Sequence, residues 1–200
     1  MTKSWIIKQH RDSFFKKSKV LGYRSRSAFK LIELNQKFKF FKNKINLLDL
    51  GSSPGGWSQV ASNFLKKSKI LAVDIEPMER INNVSFLKGN FLTEDIKDKI
   101  SKEFIGKIDV IISDMAAKTT GNKSLDCIRT NELCMEVINF SSEKLKNKGI
   151  LVAKLFMGED FLEVKKLAQN KFNKVQFFKP KSSRGESKET YIHCSTLNTL

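Results

Sequence analysis

The stretch Asp49-Leu-Gly-Ser-Ser-Pro-Gly-Gly-Trp57 follows the apolar run 45–50 (INLLDL) and precedes an amphipathic segment at 58–65. Glycines at such a junction let the backbone turn sharply and approach a ligand closely. The pattern predicts a buried strand, a glycine-rich turn and a helix in that order. This stretch therefore decides how the rest of the chain is interpreted.

Apolar runs and amphipathic stretches alternate on the carboxyl side of this turn. They predict strands at 69–74, 84–87, 108–113, 150–156, 175–178 and 191–194, with helices at about 93–100, 124–145 and 161–168. Alternating strands and helices predict an α/β fold with a mostly parallel seven-stranded sheet covered on both faces. In the helix 124–145, Leu125, Ile128, Leu133, Val137 and Ile138 are predicted core positions, and Gly149 is predicted to end the helix.

Ligands of such folds bind beyond the carboxyl ends of the strands. The predicted site therefore contains residues 51–57, Asp74, Asn90, Asp114 and the segment after Ala153. The turn is not G-x-G-x-x-G, and Trp57 stands where a phosphate-binding loop needs Lys, which disfavours a dinucleotide or a nucleoside triphosphate. S-adenosylmethionine fits better because it has no phosphates, and Asp74 could accept hydrogen bonds from its ribose. A tight turn without any ligand is the alternative.

Composition places the chain among single-domain globular proteins. It has 200 residues, 40% of them hydrophobic, and no run approaching the roughly 20 apolar residues of a membrane span. The N-terminus lacks a signal-peptide core, although a basic mitochondrial presequence is a minor alternative. Cys127, Cys134 and Cys194 show no metal-binding spacing, so we expect no metal site and a reducing, cytoplasmic location.

Positive charge is concentrated in the first quarter of the chain. The formal net charge is +16, and residues 1–46 contribute +11 of it, with 13 Lys or Arg against Asp12 and Glu33. We expect one domain, 1–200, in which 1–46 is a basic RNA-binding extension whose Arg24 and Arg26 meet phosphate. Because Lys supplies 31 of the 37 basic residues, an AT-rich genome and a merely solvated surface are the alternative explanation.

Six motifs in order make the chain similar to a known family. They are Tyr23-Arg-Ser-Arg-Ser-Ala-Phe-Lys30-Leu, Gly51-Ser-Ser-Pro-Gly-Gly-Trp57-Ser-Gln, Asp74-Ile-Glu-Pro-Met, Ser113-Asp114-Met-Ala, Ala153-Lys154-Leu-Phe-Met-Gly and Ser187-Lys-Glu189-Thr-Tyr-Ile. In these motifs the chain resembles the FtsJ/RrmJ (RlmE) family of ribose 2′-O-methyltransferases over nearly its whole length. The resemblance implies a Rossmann-like methyltransferase fold that uses S-adenosyl-L-methionine.

The resemblance also implies a catalytic tetrad of Lys30, Asp114, Lys154 and Glu189. The sequence supports Lys154 independently, since it interrupts the apolar run Ile-Leu-Val-Ala-Lys-Leu-Phe, where an unpaired charge would be costly. Asp114 directly follows the apolar run Val-Ile-Ile-Ser, whereas the assignments of Lys30 and Glu189 depend on the resemblance alone.

A lysine can take the proton of a ribose hydroxyl only when it is neutral, and its reference pKa is about 10.4. Burial, a second lysine and a cationic sulfonium all favour the neutral form. We therefore predict that Lys154 is the base and that Asp114 and Glu189 orient the two lysines.

Implied cofactor contacts are Gly55, Trp57, Asp74, Asn90 and Asp114. Asn90 departs from the family, which usually has Asp there to contact adenine, so cofactor affinity is expected to be modestly lower. Ala117 replaces a common proline. The implied substrate is a uridine ribose in the A loop of large-subunit rRNA, within the assembled 50S subunit, and the expected state is a monomer. The alternatives are a tRNA or mitochondrial rRNA 2′-O-methyltransferase, or a catalytically silent RNA-binding assembly protein.

Overall fold

A computed structural model describes residues 12–198, and a seven-stranded sheet forms its centre. The strands are β1 (Asn46–Leu50), β2 (Lys69–Asp74), β3 (Val84–Lys88), β4 (Ile108–Ser113), β5 (Leu145–Phe156), β6 (Phe172–Phe178) and β7 (Glu189–Leu197). Their order is β3-β2-β1-β4-β5-β7-β6, and β7 runs antiparallel to both neighbours. The predicted mostly parallel sheet is confirmed, and all seven predicted strands are present, two with the predicted bounds and five with shifted ends.

Six helices are present in the described residues, and the last five of them cover the two faces of this sheet. They are α1 (Ser13–Val20), α2 (Ser27–Phe38), α3 (Gly56–Phe64), α4 (Glu94–Glu103), α5 (Lys123–Lys144) and α6 (Phe161–Lys171). Alternate residues of each strand face opposite sides. Leu47 of β1 packs in the cluster that includes α2 and α3, while Leu48 packs in the cluster that includes α4, α5 and α6. No helix within residues 12–198 is both long and apolar enough to cross a membrane.

Part of the basic N-terminal segment belongs to the core. Ala28, Leu31 and Leu34 of α2 are fully buried and pack with α3 against the sheet. Fully burying one Leu side chain stabilises a fold by about 1.5–3 kcal/mol. The expected extension 1–46 therefore does not stand apart from the domain, because α2 is one of the layers that cover the sheet. Residues 1–11 of it lie outside the described residues.

Two expectations about α5 and its end are wrong. Leu125 and Ile128 are 42% and 38% exposed, because the first turns of α5 extend beyond the carboxyl end of the sheet. Val137 and Ile138, further along, are fully buried as predicted, and Leu133 is half-buried. Gly149 does not end the helix, since α5 stops at Lys144 and Gly149 lies in an irregular stretch of β5.

His193 on β7 is a buried imidazole stacked on Phe38 of α2, with ring centroids 4.1 Å apart. His193 is only 6% exposed, and neither ring nitrogen has a hydrogen-bond partner among the described residues. Burial lowers the pKa of His193 from 6.5 to about 4. The folded protein therefore holds this ring neutral at pH values where the unfolded chain protonates it.

This difference predicts a loss of stability in acid. As the pH falls from about 6.5 to about 4, proton uptake by the unfolded chain should lower the free energy of unfolding by up to about 3 kcal/mol. His193→Phe keeps the aromatic stack and removes the titration. Urea unfolding at pH 7.0 and pH 4.5 should show a smaller acid loss in the variant than in the wild type. Equal losses of stability in acid for the two proteins would contradict a lowered pKa of His193.

Candidate active site

The glycine turn closes tightly onto the segment that follows β4. Gly51 has φ +74°, and a Cβ there would lie 2.2 Å from Cγ of Met115, so only glycine fits. Its N–H donates to the Val73 carbonyl of β2. The turn ends at Gly56, where α3 begins. The sequence thus places an open backbone at the carboxyl ends of β1 and β2.

A cavity of about 980 Å³ lies beside this turn, at the carboxyl ends of β1, β2 and β4. Its lining includes Gly51, Asp74, Asn90 and Asp114, as the sequence predicted. The Asp74 carboxylate accepts from the N–H groups of Ser53 and Glu76, both at 2.8 Å, which fixes it at the mouth of the turn. Asn90 accepts the Leu92 N–H through Oδ1, which leaves its amide NH₂ free of any hydrogen bond in the described chain.

Gly55 and Trp57 do not line the cavity. The Trp57 indole is 2% exposed, packs near Tyr191 and donates its N–H to the Ser27 carbonyl at 2.9 Å. A Cβ on Gly55 would meet Arg24, so this glycine serves the packing of the N-terminal segment. The helix turns the indole into the core, and the cofactor contacts of Gly55 and Trp57 stay predictions.

The floor of the cavity is electronegative. Asp49 is fully buried beneath the turn, where Ser58 donates to its Oδ2 at 2.6 Å, while Oδ1 has no hydrogen-bond partner among the described residues. Burial, reinforced by the charges of Asp114 and Asp74, raises the pKa of Asp49 to about 7. A cationic ligand would relieve this repulsion. The open backbone, the strand-end carboxylate Asp74 and the negative floor therefore fit S-adenosylmethionine, whose sulfur and amino group are positive.

Lys154 and Asp114 form a buried ion pair at the end of this cavity. Nζ of Lys154 lies 3.1 Å from Oδ1 of Asp114 and also donates to the Asp114 carbonyl. Burial opposes ionisation of Asp114, but the Lys154 and Lys30 ammonium groups outweigh it and hold the pKa of Asp114 below its usual range. The Asp114 carboxylate is therefore ionised in the folded protein.

Tyr191 is a site residue that the sequence reasoning did not single out. Its hydroxyl donates to Asp114 Oδ1 at 2.7 Å, and its ring lies 5.8 Å from Nζ of Lys30. Burial raises the pKa of Tyr191 well above its usual range, with contributions from the negative Asp114 and Glu189. The phenol therefore stays protonated. The available signal was strand alternation, which puts Tyr191 two residues after Glu189 on the same face.

Lys30 and Glu189 form the second ion pair, with Nζ 2.7 Å from the carboxylate. Lys30 comes from α2, and Glu189 begins β7. Ser183, another residue that the sequence reasoning missed, donates its buried hydroxyl to Glu189 Oε1 at 2.8 Å. The structure thus brings all four predicted tetrad residues into two adjacent ion pairs connected through Tyr191, whereas their catalytic roles stay predictions.

The loop that carries Ser183 is attached to the N-terminal segment. The Glu33 carboxylate of α2 accepts the backbone N–H groups of Lys181 at 2.6 Å and Ser182 at 2.9 Å. Arg26 pairs with Asp12 and donates to the Ser182 carbonyl. These contacts fix the loop 179–188 against α2, so the position of Ser183 depends on the N-terminal segment.

Arg24 and Arg26 make contacts within the chain, and the expectation that they meet phosphate stays a prediction. Arg24 donates to the carbonyls of Pro54, Glu79 and Arg80, which connects the N-terminal segment to the glycine turn. Arg26 is engaged with Asp12 and the loop 179–188. Both guanidinium groups are occupied by partners within the chain. They connect the N-terminal segment to the glycine turn and to the loop 179–188.

The Ser183 hydroxyl should position Glu189 and, through it, Lys30. Removing a hydrogen bond to a charged group costs about 1.5–3 kcal/mol, so Ser183→Ala should lower single-turnover methylation about tenfold. The affinity for S-adenosylmethionine should not change, because Ser183 does not line the cavity. Ser183→Thr, which keeps the hydroxyl, should restore most of the rate. A lower cofactor affinity in Ser183→Ala would instead indicate a general structural defect.

The fold and the site together define a Rossmann-like methyltransferase. The profile of the FtsJ-like methyltransferase family matches residues 23–197, and the chain belongs to that family. The predicted cofactor, S-adenosyl-L-methionine, is confirmed by this fold and membership. In the described part of the chain, no three His, Cys, Asp or Glu side chains are grouped to hold a metal ion.

Relatives match over almost the full length. "Ribosomal RNA large subunit methyltransferase E" of Pelagibacter ubique (strain HTCC1062) is 48% identical over 197 residues, covering 98% of this chain and 97% of the relative. The protein of the same name from Rickettsia akari (strain Hartford) is 40% identical, covering 94% and 86%. A Plasmodium falciparum structure described as a ribosomal RNA methyltransferase is 33% identical, with a TM-score of 0.79, covering 88% and 98%.

Proposed function

We propose that the protein transfers a methyl group from S-adenosylmethionine to the 2′-oxygen of a uridine ribose in large-subunit (23S) rRNA, on the assembled 50S subunit. The observation that carries this proposal is the contact set of Lys154, Asp114, Lys30 and Glu189 at the end of the cofactor cavity. The relatives named for large-subunit rRNA methylation supply the substrate class. The cytoplasm is the proposed location and a monomer the proposed state.

Bound S-adenosylmethionine supplies an electrophilic methyl group on a positively charged sulfur. Asp74 and Asn90 would hold its nucleoside end, because both line the cavity beside the glycine turn. Asp49, with one oxygen unpartnered, lies beneath that turn, where a positively charged ligand would favour its ionised form. The chain's remaining tasks are to position the ribose hydroxyl, to remove its proton and to exclude water.

Lys154 would take the hydroxyl proton on Nζ once that amine is neutral. Asp114 fixes Nζ from two directions, through its carboxylate and its carbonyl, so the lone pair has a defined orientation. Lys30, oriented by Glu189, would stabilise negative charge that develops on the 2′-oxygen. A positioned general base typically contributes a factor of about 10²–10⁴ to the rate, and positioning supplies much of the rest.

Mapping of ribose methylation in a deletion strain tests the substrate. We expect one 2′-O-methyluridine to disappear from large-subunit rRNA and to return when the gene is restored. Restoring Lys154→Ala instead should leave the position unmodified. Purified 50S subunits from the deletion strain should accept a radiolabelled methyl group better than protein-free rRNA.

Two alternatives give different outcomes in this experiment. Loss of a tRNA methylation with unchanged rRNA would assign the site to tRNA. Normal methylation of both RNAs, with defective subunit assembly, would indicate a silent RNA-binding protein. The complete tetrad argues against a silent protein. Its charged groups are in contact, and a chain that no longer catalyses has no chemical need for two lysines in such poorly exposed ion pairs.

A further inference from the structure

The end of the sheet opposite the active site is strongly basic. The segments that lead into β1, β2, β4 and β5 comprise residues 41–46, 65–69, 103–109 and 143–149, which we call the amino edge. They contain nine lysines and three carboxylates, a net charge of +6. Six exposed lysines make no ion pair within the described chain: Lys42, Lys44, Lys66, Lys67, Lys107 and Lys148.

Contacts between these segments show that they form one surface. Ile45 donates its N–H to Ser68 at 3.2 Å, and Asn46 donates its N–H to Asp109 at 2.8 Å. Lys107 in turn donates to the Glu143 carbonyl. The surface extends from β2 across β1 and β4 to β5, three strand spacings or about 15 Å.

Two of the three carboxylates of the amino edge are already paired within it. Asp109 binds Lys146 at 2.7 Å, and Glu103 binds Lys69 at 3.2 Å. The unpaired lysines therefore dominate the electrostatic potential of this surface. The loops at the other end of the sheet differ, since residues 51–55, 74–83, 89–93, 114–122, 157–160 and 179–188 together carry six basic and seven acidic side chains.

We propose that the amino edge is a second RNA-contacting surface, which binds phosphates of the substrate RNA on the side of the protein away from the site of methyl transfer. Genome composition can raise the number of lysines, but it cannot select one end of a sheet for them. An RNA backbone is the partner whose phosphates can contact several cations spread over about 15 Å.

The distance between the two surfaces specifies the kind of RNA. β1 alone spans five residues, or about 17 Å, and the loops at each end add to this separation. At physiological salt, charges act over about 8 Å, so the amino edge cannot attract RNA that is bound only at the site. Its partner must therefore be a large folded RNA that reaches both ends of the sheet. This inference rests on the proposed RNA substrate.

Binding of two RNAs tests the proposal. The probes are an in vitro transcript of the large-subunit rRNA and a 12-nucleotide single strand, measured by filter binding from 50 to 300 mM KCl. The variant is Lys66→Gln/Lys148→Gln, and Lys165→Gln/Lys166→Gln on α6 is the control with the same change in charge. The affinity of the first variant for the transcript should fall at least about threefold. The slope of log binding constant against log salt concentration should become shallower by about 1.4. The 12-mer should bind both variants alike.

Each other result would overturn the proposal. An unchanged salt slope for the transcript would mean that these lysines meet no phosphate. Equal losses in the control, or equal losses with the 12-mer, would mean that only net charge matters. Weaker binding to vesicles of 30% phosphatidylserine in phosphatidylcholine, with unchanged transcript affinity, would identify a lipid surface instead. Binding is measured without methyl transfer, so a wrong methylation target does not alter these outcomes.

Discussion

Lys154→Ala should reduce single-turnover methylation about a hundredfold or more, because it removes the positioned base. Cofactor affinity, measured by calorimetry, should change little, since Lys154 is not among the residues that line the cavity. Lys154→Arg should be nearly as slow, because a guanidinium stays protonated. The wild-type rate should rise with pH as more of the amine becomes neutral, and the Arg variant should lack this rise.

A fast Lys154→Arg variant would contradict the assignment. It would mean that a permanent cation suffices at this position and that Lys154 acts as an electrostatic clamp. Thermal unfolding is the necessary control, since Lys154→Ala leaves Asp114 without its 3.1 Å partner in a buried place. The Arg variant keeps that charge and so separates loss of the base from loss of the fold.

Asp74→Ala should weaken cofactor binding about 10- to 100-fold, because hydrogen bonds to a charged group contribute about 1.5–3 kcal/mol. RNA affinity should stay nearly intact, since Asp74 lies on the cofactor side of the glycine turn. Calorimetry with S-adenosylmethionine and filter binding with RNA measure the two effects. A parallel loss of both affinities would point to misfolding of the turn.

Asn90→Asp is the matched variant on the next strand end. It adds a carboxylate to the same cavity while keeping the oxygen that accepts the Leu92 N–H. Cofactor affinity should stay the same or improve. A large decrease would show that Asn90 does not face the adenine and that its free NH₂ is the group in use.

Local pattern was sufficient to predict the strands and the cofactor side of the site. Buried parallel strands are short apolar runs, and the residue that follows each one must lie at the carboxyl end of the sheet. Asp74 and Asp114 could therefore be placed from the sequence. Lys154 could be placed too, because it shares a face of β5 with the buried Val152.

The second half of the site depends on contacts between distant segments. Ser183 meets Glu189 only because α2 holds the loop 179–188 through Glu33, which is 149 residues from Ser182. No periodicity signals such a contact. The same reason explains why the carbonyl partners of Arg24 and Arg26 were not predicted, since a basic run looks the same whether its cations meet carbonyls or phosphates.

The attachment of α2 to the sheet limits how this enzyme could acquire a new target. Lys30 reaches the tetrad from the same helix that carries the buried Leu31 and the loop anchor Glu33. The N-terminal segment is thus not an interchangeable adaptor. Grafting a relative's residues 1–46 would exchange a tetrad side chain and a core layer together with any RNA contacts. Retargeting would have to proceed by surface substitutions around a fixed helix.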